Sequence, residues 1–277
     1  MALQCTSHLL SEHYPRPRET GLSVAAGFVT VTGALSDQPY AVERHDRIGS
    51  TNERASALAR EGRRDVVVVA DEQTAGRGRR DRSWVGPSGG LYCSVVVEPS
   101  FPPGEYSLAT LAAGVAVARA VEPFSVDPRV KWPNDVLVDG WKLAGVLTER
   151  VDDALVVGVG VNVAVDAADL PAGAVSLADA LAERGGHLDD GTAARDRIAR
   201  DLLRAFAALL DSPEDVLDEW RSAADTLGRR VRVRAETSDG DVVGEAVDVV
   251  SPGALVVRTA DGEVRVDAGD CEHLRSA

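Results

Sequence analysis

The segment 131–150 reads KWPNDVLVDGWKLAGVLTER, and it decides how this chain folds. Apolar and β-branched residues predict strands over 130–132 and 135–138, with Pro133 between them, because proline cannot donate to a strand ladder. Asp139-Gly140 is typical of a two-residue β-hairpin turn, so the stretch 142–150 is predicted to be the returning strand. The segment therefore predicts an antiparallel hairpin within a β-sheet.

Strands and helices alternate on both sides of this hairpin. Upstream, we predict strands at 41–47, 66–70 and 91–97, a helix beginning at Ser50 and a helix over 107–121. Glu53 stands three residues after Ser50, which is the spacing of a capping box. Downstream, a strand at 155–165 is followed by two or three helices between 176 and 227. This order predicts an α/β (α+β) domain with a central mixed β-sheet flanked by helices.

The pattern changes at Gly228. Short β-branched runs follow at 231–235, 242–250, 254–259 and 263–266, separated by Asp-Gly and Pro-Gly turns. Such spacing predicts a small all-β barrel of about 50 residues. We therefore expect a main domain over 41–227, a C-terminal domain over 228–277 and an N-terminal extension of unknown role over 1–40.

Composition restricts the partners and the location. The 277 residues carry a formal net charge of −14, and such a field repels phosphate backbones, so specific DNA binding is not expected. The longest apolar, uncharged stretch, 106–118, is shorter than the ~20 residues of a membrane span and predicts a buried helix. The three cysteines form no CxxC pair, which argues against a disulfide scaffold or a zinc ribbon. We expect a cytoplasmic protein that does not bind membranes.

Lysine is rare and is concentrated in one place. Of the 30 basic residues only Lys131 and Lys142 are lysines, and both lie in the hairpin segment. Codon bias in a GC-rich genome accounts for the arginines, but not for that clustering. A lysine on a strand can be a solvated guardian of a sheet edge. We favour convergence of both ammonium groups on one ligand, because small residues Ala144 and Gly145 leave room beside them.

The arginine loop, GRGRRDRSW over 76–84, is a local positive charge in an acidic chain. Its glycines allow close backbone approach, and its guanidinium groups can bind phosphate or carboxylate oxygens. It is not a Walker loop, because GxxxxGK[ST] is absent. A solvated charged loop is the alternative. Since the loop follows a predicted buried strand, we favour an anion-binding site.

Two further groups are polar but uncharged. Ser50-Thr51-Asn52 and Gln73 suit a neutral, hydrogen-bonding ligand, although helix capping explains Ser50 equally well. In GVGVN, 158–162, glycines inside a strand indicate close backbone approach, and Asn162 could reach a ligand. Tight packing of this strand against a helix is an equal alternative.

Together these segments resemble the biotin protein ligase family. The matching pieces are STN (50–52), EQTAGRGRR (72–80) with Trp84, KWPNDV (131–136), GWKLAGVLTE (140–149) and GVGVNV (158–163). GRRV at 228–231 and HLR at 273–275 resemble the SH3-like barrel that ends members of that family. The resemblance covers the chain from about residue 41 onward.

The resemblance implies a two-step ligase reaction. Biotin reacts with MgATP to give biotinyl-5'-AMP, and a lysine of a biotin carboxyl carrier protein domain then takes the biotin. That carrier belongs to a biotin-dependent carboxylase such as acetyl-CoA carboxylase, and a homodimer of the enzyme is compatible with the family. Mg²⁺ is expected to arrive mainly through the ATP phosphates, with Asp135 as the candidate protein ligand.

The resemblance also assigns residues to roles. The biotin-binding set is Ser50, Thr51, Asn52, Gln73, Arg77, Gly78, Arg79, Lys142 and Gly145. The set for ATP and the adenylate is Arg77, Arg79, Arg80, Trp84, Lys131, Asn134, Asp135 and Asn162. The candidate catalytic residues are Lys142, Arg79 and Lys131.

The sequence departs from the family pattern at Asp81, where the family has glycine. We expect Asp81 to weaken the positive field of the arginine loop and to alter adenylate retention more than the reaction itself. Residues 1–40 are too short and unpatterned for the DNA-binding domain that some members carry. Alternatives are a lipoate–protein ligase of the same fold, a non-catalytic biotin sensor that binds DNA, and a binding module that has lost catalysis.

Overall fold

The structure is a computed structural model that describes residues 35, 39–80, 82–235 and 240–274. The helices are α1 (Thr51–Arg60), α2 (Ser107–Val121), α3 (Leu177–Ala182), α4 (Gly191–Asp211) and α5 (Pro213–Ala223). The strands are β1 (Ala41–His45), β2 (Val66–Ala70), β3 (Leu91–Val97), β4 (Pro128–Lys131), β5 (Asp135–Val138), β6 (Trp141–Val151), β7 (Ala154–Val161), β8 (Arg230–Ala235), β9 (Asp241–Val250), β10 (Ala254–Thr259), β11 (Gly262–Val266) and β12 (Gly269–His273). Asp81 and most of the N-terminal extension over 1–40 lie outside the described residues.

The central sheet has seven strands in the order β1-β2-β3-β7-β6-β5-β4. The β1–β2 pair is parallel and the other neighbours are antiparallel. The expected mixed sheet is therefore confirmed. Strands β2, β3 and β7 are buried along their whole length, in keeping with their runs of valine.

The hairpin segment forms as its sequence predicts. β4 and β5 pair antiparallel across a tight turn at 132–134 that contains Pro133. Asp139 and Gly140 adopt φ angles of 53° and 81°, the left-handed pair that a type I′ turn requires. β6 then returns between β5 and β7, so it is an interior strand of the sheet.

Helices cover the two faces of the sheet unequally. Helix α1 packs on one face against alternate residues of β2, β3 and β7, including Val68, Val96 and Val156. Helices α2 and α4 pack on the opposite face over the main core. Within the described part of the chain, 107–124 is long and apolar enough to cross a membrane by length and composition, yet 67% of it is buried inside the protein. The expected buried helix is thus confirmed.

Strands β8 to β12 form a separate five-stranded antiparallel sheet in the order β11-β10-β9-β8-β12, which we call the C-terminal β unit. Four of its strands follow the predicted runs. The fifth, β12, was not predicted, because its sequence GDCEH has no β-branched residue. The division of the chain into domains at 227/228 stays a prediction.

Candidate active site

The site is built on a row of neighbours across four strands of the central sheet. Lys131 is opposite Asp135, Asp135 is opposite Gly145, and Gly145 is opposite Gly160. The two glycines leave a surface without side chains, and the indole of Trp84 lies against it. A Cβ at Gly160 would be 2.5 Å from Trp84 Cε2, and one at Gly145 would be 2.8 Å from Trp84 Cζ3. Glycine is therefore required at both positions for the indole to sit here.

Lys142 points into this row. Its Nζ lies 2.5 Å from Asp135 Oδ1 and 5.3 Å from the centroid of the Trp84 ring. Its strand, β6, is interior and its side chain is partly buried, so the alternative of a solvated edge lysine is wrong. The carboxylate and the indole face hold the ammonium in a defined place, where an incoming anion can replace Asp135.

A cavity of about 550 Å³ extends along this row. Its described lining carries six basic side chains against three acidic ones, although the chain as a whole is strongly acidic. The basic side chains are Arg77, Arg79, Arg82, Lys131, Lys142 and Arg234. Both lysines line this one cavity, as their clustering in sequence predicts. Local positive charge of this kind attracts anionic ligands.

At one end the cavity has an uncharged floor in which buried polar groups satisfy one another. Ser94 Oγ lies 2.6 Å from Asn52 Oδ1 and 2.7 Å from Thr51 Oγ1. The side-chain amide of Asn52 donates to Glu149 Oε2 at 2.8 Å. Gln73 Oε1 accepts from the backbone N–H of Thr51 at 2.7 Å and from the Thr51 hydroxyl at 3.0 Å. Because that oxygen is used twice, Gln73 has its NH₂ group to offer a ligand.

Two features position the side chains of the floor: Gly158 and the N-terminus of α1. Gly158 is opposite Ser94, and a Cβ on it would lie 1.8 Å from Asn52 Oδ1. Ser50 caps α1 by accepting from the Glu53 amide at 3.4 Å, which confirms the predicted helix start. The N-terminus of α1 thus places residues 50–52 next to the sheet.

The arginine loop lines one side of the cavity through Arg77, Gly78, Arg79 and Arg82. It folds on itself through a bridge between Arg77 and Ser83. Arg79 Nη1 donates to Asn134 Oδ1 at 3.3 Å, and Arg77 Nη2 lies 3.7 Å from Glu149 Oε1. The loop is therefore in contact with the floor and with the β4–β5 turn, and the alternative of a purely solvated loop is wrong.

The C-terminal β unit supplies the last wall of the cavity, through Arg234, Asp270, Cys271 and Glu272. Burial raises the pKa of the Cys271 thiol to about 12, an effect that Lys131 partly opposes. The thiol is therefore protonated at neutral pH and does not act as a nucleophile.

His273 joins this unit, through Thr226, to the turn between β4 and β5. Its Nδ1 lies 3.3 Å from Asp225 Oδ2, and its Nε2 lies 3.2 Å from Thr226 Oγ1. Thr226 Oγ1 in turn accepts from the Trp132 amide at 2.9 Å. Burial, helped by Lys131, lowers the pKa of His273 to about 4, so the imidazole is neutral in this junction.

The cavity brings together most of the residues that the sequence singled out. Those that line it are Ser50, Thr51, Asn52, Gln73, Arg77, Gly78, Arg79, Trp84, Lys131, Asn134, Asp135, Lys142 and Gly145. Two differ from expectation. Arg80 is turned toward the C-terminal β unit, where it pairs with Asp270 at 3.1 Å. Asn162 is buried and does not line the cavity. Its side-chain amide donates to the Lys142 carbonyl of β6 at 3.4 Å and to the Val175 carbonyl at 3.3 Å, so it supports the strand that carries Lys142.

Sequence reasoning missed several participants. Ser94 supports the uncharged floor from below, and Glu149 lies at the margin of that floor, where its carboxylate accepts from Asn52. Asp270 and Glu272 belong to the unpredicted strand β12. A serine in the otherwise apolar run LYCSVVV was a signal that Ser94 meets a polar partner. Glu149 and Asp270 gave no such signal, because exposed acids are common throughout this chain.

The described residues contain no group of three or more His, Cys, Asp or Glu side chains that could hold a metal ion. Of the three carboxylates that line the cavity, Asp135 lies in the row with the lysines, and it is already paired with Lys142. A Mg²⁺ ion here would therefore take most of its ligands from a bound triphosphate and from water.

Comparisons with known proteins agree with this geometry. The sequence profile described as "Biotin/lipoate A/B protein ligase family" matches residues 45–166, and "Biotin protein ligase C terminal domain" matches residues 226–274. The biotin–[acetyl-CoA-carboxylase] ligase of Mycobacterium tuberculosis is 38% identical over 241 residues, which cover 82% of this chain and 86% of that protein.

Solved structures give the same result. The biotin protein ligase of Aquifex aeolicus in complex with biotin and ATP aligns with a TM-score of 0.71 and 26% identity, covering 85% of this chain and 99% of that one. The enzyme from Leishmania major in complex with biotinyl-5-AMP aligns with a TM-score of 0.57 and 28% identity, covering 82% and 98% of the two chains.

Proposed function

The chain belongs to the biotin protein ligase family, and we propose that it is an ATP-dependent biotin ligase that modifies a biotin carboxyl carrier protein domain. In the first step a carboxylate oxygen of biotin attacks the α-phosphorus of ATP, biotinyl-5'-AMP forms and pyrophosphate leaves. In the second step the amine of a carrier lysine attacks the acyl carbon. An amide forms, AMP leaves and the amine loses a proton.

One observation carries the proposal: a cationic cavity adjoins a buried, uncharged pocket in a chain of net charge −14. The first step joins a carboxylate to a triphosphate, so mutual repulsion of two anions has to be offset. Fixed ammonium and guanidinium groups supply that compensation. The neutral floor offers hydrogen bonds to the uncharged ureido ring of biotin.

Lys142 and Asp135 are proposed to change partners during the reaction. The Lys142 ammonium, now 2.5 Å from Asp135, would bind the oxygens of the biotin carboxylate and the α-phosphate as negative charge builds there. Asp135 is then free to accept the proton that the carrier lysine loses. Lys131 and Arg79 would lie along the triphosphate.

The arginine loop is proposed to protect the mixed anhydride from water. Biotinyl-5'-AMP hydrolyses when water reaches the acyl carbon, so a closed site favours transfer to the carrier. Trp84, packed on Gly145 and Gly160, would face the nucleotide. Asn162 would act indirectly, through the backbone of the strands that carry Lys142.

Other features of the proposal follow from the same chemistry. We propose that Mg²⁺ enters with ATP, that the carrier belongs to a carboxylase, that the enzyme acts in the cytoplasm and that residues 41–227 form the catalytic domain. A homodimer remains compatible with the family, and sedimentation would test it. No specific DNA binding is proposed, and a gel-shift at physiological salt would overturn that view.

The central test supplies the protein with MgATP, a carrier domain and either biotin or lipoate. We expect pyrophosphate release and a mass increase of one biotinyl group on the carrier, with biotin alone. Labelling by lipoate alone would support the rival ligase of the same fold. Binding of biotin without pyrophosphate release would support a non-catalytic sensor.

A further inference from the structure

Three arginines of the arginine loop reach across to the C-terminal β unit. Arg79 Nη1 donates to the Gly269 carbonyl at 3.2 Å, and Arg80 Nη2 donates to the Arg234 carbonyl at 3.1 Å. Arg80 Nη1 also lies 3.1 Å from Asp270 Oδ2, and Arg82 is hydrogen-bonded to the same oxygen. The loop therefore rests on strands β8 and β12 as well as on the main sheet.

Asp270 is the charged centre of these contacts. It pairs with two loop arginines and stands opposite Arg234 in the β8–β12 register. Its carboxylate thus lies among basic residues from two parts of the chain. Removal of its charge would take away a carboxylate that both Arg80 and Arg82 contact, which weakens the attachment of the loop to this unit.

We propose that Asp270 is a positioning residue that fastens the arginine loop to the C-terminal β unit and so keeps the cavity closed. This inference rests on the proposed function, in which the closed loop retains biotinyl-5'-AMP. Asp270 takes no part in bond making. It acts through Arg80 and Arg82, and its loss shortens the time for which the intermediate stays bound.

Asp267 provides a matched control on the same unit. It is also an aspartate paired with arginine, at 3.0 Å, but its partner Arg265 lies two residues away and not in the loop. Asp267→Asn removes the same charge a few residues from Asp270 without touching the arginine loop. Asp270→Glu keeps the charge at Asp270 and tests whether charge is what matters there.

The first experiment needs no substrate. Trypsin cleaves after arginine, so the rate of cleavage between residues 77 and 80, read by mass spectrometry, reports opening of the loop. We expect Asp270→Asn to be cut there about threefold faster or more, since partly exposed ion pairs are individually weak. Asp267→Asn should match the wild type, and Asp270→Glu should keep most of the protection.

Two results would overturn the proposal: unchanged cleavage in Asp270→Asn, or equal acceleration in Asp270→Glu. If Asp270→Asn fails to fold, Arg82→Gln is the substitute, because it removes an ion pair of Asp270 by changing an exposed side chain. Faster cleavage after Arg77 or Arg79 in that variant would support the proposal, and unchanged cleavage would overturn it. Thermal unfolding of each variant identifies global destabilisation, which would raise cleavage everywhere.

The second experiment separates this inference from the proposed function. With biotin and MgATP, we expect the adenylate that Asp270→Asn has formed to leave the protein severalfold faster than it leaves the wild type, measured as the rate of its loss from the bound fraction. If the wild-type protein releases no pyrophosphate, the proposed function fails. If the wild type is active and Asp270→Asn holds adenylate equally long, only the role of Asp270 fails.

Discussion

The floor of the cavity and the arginine loop above it hold polar groups in opposite ways. In the floor, Ser94, Thr51 and Asn52 are each at most 5% exposed, and they bond to one another at 2.6 to 2.7 Å. In the loop, the Arg77 and Arg82 side chains are 55% and 63% exposed and contact carboxylates of other elements.

This difference assigns different tasks to the two regions. Buried neutral hydrogen bonds are costly to break, so the floor is preorganised and discriminates between ligands by shape and hydrogen bonding. Exposed ion pairs are weak and screened, so the loop can exchange protein carboxylates for ligand anions. We infer that recognition resides in the floor and that retention resides in the loop.

The largest expected effect lies between the two regions, at Lys142. Lys142→Ala removes the ammonium that we propose binds the reacting oxygens, and Lys131 is the only other lysine in the sequence. We expect pyrophosphate release to fall by roughly 100-fold or more, as for loss of a transition-state donor. Lys142→Arg keeps the charge and should retain part of the rate. Turnover like that of the wild type in Lys142→Ala would contradict the assignment.

The second-largest effect is expected from a substitution that crowds the floor, Gly158→Ala. In Gly158→Ala the new methyl group would lie 1.8 Å from Asn52 Oδ1, so Asn52 must move and its bonds to Ser94 and Glu149 break. We expect a loss of about 1–3 kcal/mol in unfolding free energy, typical of overpacking, with a strongly raised KM for biotin. Gly104→Ala is the control, because nothing lies within 4 Å of its added Cβ. Equal KM values in both variants would show that the floor does not bind biotin.

Glu149 contacts both the floor and the arginine loop, so substitutions at this residue can separate their effects on biotin binding and on adenylate release. One of its oxygens accepts from Asn52, and the other lies near Arg77. Glu149→Gln keeps an acceptor for Asn52 but removes the charge opposite Arg77, so adenylate release should rise a fewfold while the KM for biotin hardly changes. Glu149→Ala should alter both quantities. If the two variants behave alike, the floor and the loop are not separate in function.

The smallest expected effect at neutral pH is on the free energy of unfolding, and it concerns His273, which joins the C-terminal β unit to the main sheet. Because the folded-state pKa of His273 is lowered to about 4 from 6.5, the unfolded chain binds a proton first as pH falls. The free energy of unfolding therefore decreases between about pH 6.5 and 4. His273→Gln should flatten this dependence in denaturant titrations at several pH values. His187→Gln, at an exposed histidine, should leave it intact, and parallel curves for His273→Gln and wild type would refute the assignment.

Short-range sequence signals predicted the fold well. Asp139-Gly140 indicated the hairpin, and runs of valine located β2 and β3, because turn chemistry and burial act through neighbouring residues. The same reasoning overlooked β12, whose polar sequence is held in its sheet by pairing with β8 rather than by its own propensity.

The candidate site was predicted in part. Lys131 and Lys142 stood out because lysine is rare in this chain, and both line the cavity. Asn162 has a side chain suited to a ligand contact, but its amide is bonded to backbone carbonyls and it does not line the cavity. The roles of Ser94 and Asp270 depend on pairings between distant strands, which a single sequence does not encode in any local pattern.

The contact between Arg79 and Gly269 spans 190 residues, and this has a consequence for biosynthesis. Ribosomes add about 5–20 residues each second, so the support for the loop is translated about 10–40 s after the loop itself. In the second half of that interval the nascent polypeptide carries residues 131–160 but lacks β12. A newly made molecule therefore acquires its complete cavity wall late, when β12 leaves the ribosome and pairs with β8.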